Sequence, residues 1–255
     1  MEQNLTMEKN VKLEIEYDGT NYSGWQKQKY TDVKTIQGTI EKAIQKATKE
    51  DIDLIGCGRT DAGVHAVTYI ANFKTYSTIP GEKFKYAINR FLPEDIMILK
   101  SKEVSMDFHS RFDCIAKTYV YRILNKPCFS PIQRKYSYHV RDKLNIEFMI
   151  EASKFLIGTH DFNAFKKPGG NVKSTVRTIK DINILKNNDI VEIHVFGDGF
   201  LHNMVRIIAG TLIEIGLEKR KPKDIFIILQ SKDRCKAGTC APSRGLYLKE
   251  VCYKG

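Results

Sequence analysis

Residues 56–66 read Gly56-Cys57-Gly58-Arg59-Thr60-Asp61-Ala62-Gly63-Val64-His65-Ala66. Glycines this closely spaced let a backbone bend sharply and let a ligand approach it, while Arg59, Asp61 and His65 put polar chemistry on the bend. A phosphate-cradling loop requires GxxxxGK followed by Ser or Thr, and a dinucleotide loop requires GxGxxG after a strand. Asp61 occupies the last glycine position of the second pattern and would set a carboxylate against a pyrophosphate, so both patterns fit poorly. Cys57 beside Arg59 would make a nucleophile only with a base, and no obvious base lies nearby in the sequence. Two readings stay open. Asp61 either caps backbone N–H groups of a turn, with Arg59 paired to it on the surface, or is a rigidly held carboxylate that nearby cations keep ionised for nucleophilic attack.

Periodicity supplies the elements that must position this segment. Val11 to Tyr17 alternates apolar and charged residues as a half-buried strand does, and Asp18, Gly19 and Asn21 turn the chain. From Thr35, an available N-cap, the residues Ile36, Ile40, Ala43, Ile44 and Ala47 recur at helical spacing. Residues 53–56 and 67–73 read as strands on either side of the glycine-rich segment, 80–91 as a helix opened by Pro80 and stopped by Pro93, and 96–104 as a strand. The same order then returns, with a strand at 117–124, a helix at 146–157 with Gly158 at its C′ position, and strands at 176–185 and 190–196. A helix follows from about Leu201, with an apolar stripe of Met204, Ile207, Ile208, Thr211, Leu212 and Ile215 ending at Gly216, then a short helix at 222–229 and a strand at 246–253.

Two passes through strand, helix, strand, strand, helix, strand predict an α+β fold of two split βαβ, ferredoxin-like halves with mostly antiparallel sheets. Residues 1–10 form an N-terminal extension, 11–105 the half that carries Asp61, and 106–255 the other half. Segment 126–144, with Pro127, Pro131 and several basic and aromatic residues, is an insertion of the kind that often binds a ligand.

With 42% hydrophobic and 10% aromatic residues the chain has material for real cores. No apolar run approaches a membrane span, and the acidic, polar start is unlike an export signal, so a cytoplasmic protein is expected. The six cysteines include no CxxC pair and read as reduced thiols, leaving zinc no obvious seat. Lysine and arginine number 41 against 30 acidic residues, a net +11 spread along the chain. A solvated surface and a phosphate-neutralising face both explain this surplus, and composition favours a nucleic-acid partner.

Nine segments then carry a family resemblance: YDGTNYSGWQ (17–26), TIQGTIEKA (35–43), GCGRTDAGVHA (56–66), NRFLPEDI (89–96), FHSRFDCIAKTYVYRI (108–123), GTHDFNAF (158–165), TVRTI (175–179), GDGFLHNMVRIIAGTL (197–212) and APSRGLYL (241–248). In order and spacing the chain closely resembles the tRNA pseudouridine synthase A family, which isomerises uridines at positions 38, 39 and 40 of the anticodon stem-loop. The resemblance implies Asp61 as nucleophile, Arg206 as its ion-pair partner, Arg59 as the arginine that holds the target base out of the stack, and Tyr119 as a substrate contact. It further implies two fused ferredoxin-like halves, sheets side by side with the catalytic cleft between them, a homodimer that grips one tRNA, no cofactor and no metal.

The residues agree with these roles, each beside a plainer one. Burial would raise the pKa of a carboxylate in a closed cleft, and a guanidinium keeps it ionised; the plainer reading of Arg206 is a helix arginine reaching to solvent. Tyr119 alternates with Val120 in a strand, where an aromatic usually packs, but a ring there can also stack on an extruded base. Histidines 65, 109, 160 and 202 form no catalytic or ligand set and read as packing or RNA contacts, and Trp25 as packing beneath the first turn. The rivals are a catalytically silent tRNA-binding protein on the same fold and an enzyme using Cys57.

Overall fold

Val11, Leu13, Ile15 and Tyr17 alternate with polar residues and are at most 3% exposed, so one face of the first strand is sealed into a core. A computed structural model describes residues 7–28, 33–169 and 172–254. In chain order its elements are β1 (Lys9–Tyr17), α1 (Ile36–Thr48), β2 (Ile55–Gly56), β3 (His65–Thr75), α2 (Phe84–Asn89), β4 (Ile96–Val104) and β5 (Cys114–Asn125). They continue as β6 (Tyr138–Val140), α3 (Ile146–Lys154), β7 (Gly158–Asp161), β8 (Val176–Asn187), β9 (Ile190–Gly197), α4 (Met204–Gly216), α5 (Asp224–Ser231) and β10 (Leu246–Tyr253). The fold is α+β, and the chain divides into two compact units, Met1–Ile115 with Leu248–Gly255, and Ala116–Tyr247. Residues 106–115 and most of β10 thus belong with the first unit.

In the first unit β1 pairs antiparallel with both β3 and β4, and β2 pairs antiparallel with β3, giving the 4-1-3-2 order of a split βαβ unit; β10 also lies beside β3. Thr35 caps α1 by accepting the Gly38 N–H at 3.3 Å, and Ile36, Ile40, Ala43 and Ile44 form its buried stripe. The helix expected over 80–91 is shorter: a 3₁₀ turn at Gly81–Lys83 leads into α2, which stops at Asn89. The Asn89 side chain bonds both the N–H and the C=O of Ile98, so it serves β4 instead of a further helical turn.

Segment 105–113 is tied to the sheet face opposite Val11 and Leu13. Asn10, fully buried, donates from Nδ2 to the carbonyls of Ser105 and Phe108, both at 2.9 Å. Asn72 donates to Asn10 Oδ1 at 2.9 Å and accepts the Ser110 N–H and hydroxyl at 2.9 and 2.6 Å. Buried amides survive only when bonded, so this network fixes where the connection lies.

In the second unit the sheet runs β5-β9-β8-β7 with antiparallel neighbours, which repeats the 1-3-2 part of the first unit's order and adds β7 at the edge. Part of the 126–144 insertion is regular, because β6 pairs parallel with β5. Helix α3 ends at Lys154, three residues before the expected Ile157, and Gly158 at φ +112 opens β7 instead of closing the helix. Asn203, in the left-handed region at φ 62, delays α4 to Met204.

Asn72→Ala removes a partner from three buried polar groups at once. It should destabilise the protein by roughly 2–4 kcal/mol, read from the shift of the urea unfolding midpoint; a shift under a quarter of that would show the network to be dispensable.

Candidate active site

Asp61 lies between β2 and β3, half-buried, on a loop whose backbone is bonded to the 19–25 turn on both sides of it. Thr60 C=O accepts the Trp25 N–H at 3.1 Å, Gly63 N–H donates to Tyr22 C=O at 3.3 Å, and Asp61 C=O accepts the Val64 N–H at 3.2 Å. The Thr60 hydroxyl meets the Tyr17 hydroxyl at 2.8 Å. Glycine is required for this approach. Gly24 sits at φ +87, and a Cβ there would stand 2.5 Å from the Thr60 oxygen and 3.1 Å from the Asp61 carbonyl carbon. A Cβ on Gly19 would be 1.9 Å from the Val64 oxygen.

Side chains brace the same contact. The Trp25 and Tyr69 rings stack at 3.8 Å, Tyr17 packs 5.8 Å from Tyr69, and the Tyr69 hydroxyl donates to Gly58 C=O. Trp25 is 2% exposed, the packing position expected of it. His65, equally buried, holds Nδ1 at 3.2 Å from the Gly19 nitrogen and 3.0 Å from Asp18 Oδ1. A bare Nδ1 accepts the Gly19 N–H and a protonated one donates to Asp18, so either form ties the turn to the start of β3. The Tyr22 hydroxyl donates to the Asp95 carboxylate; burial first, then that bond, push its pKa upward. Arg59 projects exposed from the same loop, whereas Cys57 is wholly buried beneath it, out of reach of any substrate.

Tyr119 and Arg206 belong to the second unit. Tyr119 stands in β5 opposite Val195, 9% exposed, with its ring edge-on to Phe200 at 5.1 Å. Tyr121, two residues on, donates its hydroxyl to Pro242 C=O at 2.8 Å; burial raises its pKa, partly opposed by the charge of Arg206.

Arg206 is no solvent-reaching helix arginine. Its Nε donates to Ala241 C=O at 2.8 Å, its Nη1 reaches Asn203 Oδ1 at 3.3 Å, and its own carbonyl accepts the Ala241 N–H at 3.1 Å. The loop that supplies Ala241 lies directly on α4, since a Cβ on Gly210 would stand 1.8 Å from the Thr239 oxygen. Gly238 N–H donates to Thr211 Oγ1 at 3.0 Å and Thr239 N–H to Glu214 at 2.9 Å. Burial alone would raise the Glu214 pKa, but the Thr239 N–H and Arg220, whose Nε stands 2.7 Å away, lower it. Among the described residues no His, Cys, Asp and Glu side chains group to hold a metal ion, and no helix is long and apolar enough to cross a membrane.

A profile of the tRNA pseudouridine synthase family matches residues 14–113 and 152–254. The chain is 76% identical over 247 residues to tRNA pseudouridine synthase A 2 of Clostridium tetani, covering 97% of this chain and all of that relative. It is 54% identical over 245 residues to tRNA pseudouridine synthase A of Clostridium acetobutylicum, covering 96% of this chain and all of that protein. A chain in a solved Cbf5-Nop10-Gar1 complex superposes with TM-score 0.35 and 12% identity, covering 94% of this chain and 58% of that one, too distant to carry an assignment. The chain belongs to the tRNA pseudouridine synthase A family of isomerases, whose name describes conversion of uridine to pseudouridine in tRNA.

Gly24→Ala sets a side chain against the Thr60 carbonyl and an unfavourable φ. It should cost about 1–3 kcal/mol of stability in urea titrations and lower the rate of pseudouridine formation further than that loss explains. A variant with wild-type rate would show that the turn does not position Asp61. Glu214, its folded pKa below the ordinary 4.5, adds stability that is present above that pH and lost as pH falls through the folded value. Glu214→Gln should therefore flatten the acid limb of the stability profile, measured by urea midpoints across that range; an unchanged slope would contradict the assignment.

Proposed function

We propose that this chain isomerises uridine to pseudouridine at positions 38, 39 and/or 40 of the tRNA anticodon stem-loop, with the Asp61 carboxylate as nucleophile. The observation that supports this reading is the loop itself: a half-buried carboxylate whose flanking backbone is bonded at Thr60 and Gly63 to a glycine-dependent turn. A carboxylate that must meet one carbon of one nucleotide gains from such fixation, because a misplaced group loses rate steeply.

The reaction breaks the N1–C1′ bond of uridine and forms a C5–C1′ bond, with the C5 hydrogen lost as a proton and one proton taken up at N1. Nothing is oxidised or reduced and no group enters or leaves, so the balance calls for no co-substrate. Asp61 attacks C6 of the ring or C1′ of the ribose, or removes the 2′ proton; the side chain is chemically suited to all three. Arg206, held rigid through Ala241 and Asn203, is the cation that keeps the nucleophile ionised. Arg59, exposed on the Asp61 loop, holds the target base out of the stack, a step that reactions on stacked bases require. Tyr119 contacts the extruded uracil. The enzyme acts in the cytoplasm as a homodimer that grips one tRNA, as its resemblance to the family implies.

The test is incubation with unmodified tRNA transcript and no added cofactor, with pseudouridine mapped by carbodiimide labelling and primer extension. Wild type should modify anticodon-arm uridines, and Cys57→Ala should remain active. Asp61→Asn should still bind tRNA while product formation falls roughly ten-thousandfold or more. Robust activity in Asp61→Asn would remove Asp61 from the chemistry, and tRNA binding without product in wild type would favour a catalytically silent RNA-binding protein.

A further inference from the structure

Among the buried residues of α1, which are otherwise Ile36, Ile40, Ala43 and Ile44, Gln37 alone is polar, and it is 7% exposed. A primary amide offers two acceptor lone pairs and two N–H donors, and here all four are in use. Gln37 Oε1 accepts the Lys27 N–H at 2.9 Å and the Gln26 side-chain N–H at 2.8 Å. Its Nε2 donates to Leu54 C=O at 3.0 Å and to Glu41 Oε1 at 3.2 Å. Glu41, one turn further along α1, also pairs with Lys27 Nζ at 2.9 Å. Three segments therefore meet at one side chain: the chain leaving the 19–25 turn, α1, and the residue before β2.

The turn and β2 are the two supports of the Asp61 loop. The turn meets the loop at Thr60 through the Trp25 N–H, and its other side is fastened to α1. Gly24 C=O accepts the Ile36 N–H at 3.1 Å and Trp25 C=O the Gln37 N–H at 3.0 Å, two of the N–H groups that a helix cannot satisfy internally. Strand β2 runs straight into Cys57 and the loop, and it lies against the turn where a Cβ on Gly56 would stand 2.6 Å from Trp25 Nε1. A side chain that only filled space here would be apolar, as its neighbours on this face are. An amide bonded at all four points instead fixes the distance from Lys27 to Leu54, and with it the separation of the turn from β2.

We propose that Gln37 is a positioning residue for the Asp61 carboxylate: by holding the Lys27 N–H and the Leu54 C=O on one amide, it sets where the loop carried by the turn and β2 presents its acid. This rests on the role proposed for Asp61 and names a residue outside the loop on which that role depends. Gln37 is buried on α1 and acts through backbone, so its loss appears in the rate of the chemical step and not in affinity for tRNA.

The experiment measures single-turnover pseudouridine formation on unmodified tRNA transcript with enzyme in saturating excess, tRNA affinity by filter binding, and stability by urea titration. Gln37→Met keeps length and volume and removes all four bonds. Where it is folded, its rate should fall roughly tenfold to a hundredfold, with affinity within about twofold of wild type. Gln37→Glu keeps both acceptor bonds, loses the donors to Leu54 and Glu41, and carries the test should the Met variant not fold. Its introduced carboxyl, buried beside Glu41, takes up a proton as pH falls and so regains a donor for Leu54 C=O. The ratio of its rate to that of wild type should therefore rise several-fold from about pH 8 to about pH 6. Asn125, a buried amide of the second unit, donates to Val140 and Asp142 carbonyls and accepts the Leu144 N–H. Asn125→Ala should lose stability yet keep the wild-type single-turnover rate. A wild-type rate in folded Gln37→Met, a pH-independent ratio for Gln37→Glu, a loss confined to tRNA affinity, or an equal rate loss in Asn125→Ala would each overturn the proposal. Asp61→Asn assayed alongside separates the two readings: robust activity there removes the role of Asp61 itself, whereas an inactive Asp61→Asn with a wild-type rate in Gln37→Met removes only that of Gln37.

Discussion

The closest backbone approach around Asp61 is between two segments that are far apart in sequence: the turn after β1 and the loop before β3. It exists because Gly19 and Gly24 have no side chains, and a single methyl group at either would meet a carbonyl oxygen well inside contact distance. Once the two segments touch, the hydrogen bonds from Trp25 and Gly63 follow, and the direction in which Asp61 leaves the backbone is set before any substrate arrives. Under the role proposed for Asp61, preorganisation of this kind spares the reaction the cost of ordering the carboxylate. Trp25 stacked on Tyr69, with Tyr17 tilted against both, packs an aromatic cluster against the contact.

The second unit solves a related problem by similar means. Arg206 is held by the Ala241 carbonyl, which the loop at 237–241 supplies by lying on α4 where Gly210 allows it. Thr211 and Glu214, one and four residues beyond Gly210, hold the loop's N–H groups, so one face of a mostly apolar helix doubles as a bracket for Arg206. In both units, glycine buys proximity and a polar side chain then fixes it.

Much of this was legible in the residues. Strand alternation located β4 and β10 to the residue, and Thr35 announced the cap of α1, because these depend on local burial patterns and local hydrogen bonding. Gly56, Gly58 and Gly63 marked the Asp61 loop as unusual, and GCGRTDAGVHA carried the resemblance. What stayed hidden was tertiary. Nothing local says that Asn89 will end α2 by bonding Ile98, that Gly158 will open a strand, or that Gly24 faces Thr60. The Ala241 acceptor for Arg206 lies 35 residues away in sequence, so the local pattern fits a solvent-reaching arginine equally well.

The most direct test of the nucleophile is a crystal structure of Asp61→Asn bound to tRNA that still carries its target uridine. The account predicts an extruded anticodon-arm uridine with C6, C1′ or the 2′ carbon about 3–3.5 Å from the side chain at position 61. A complex in which the bound RNA is ordered but every uridine stays far from that side chain would contradict it.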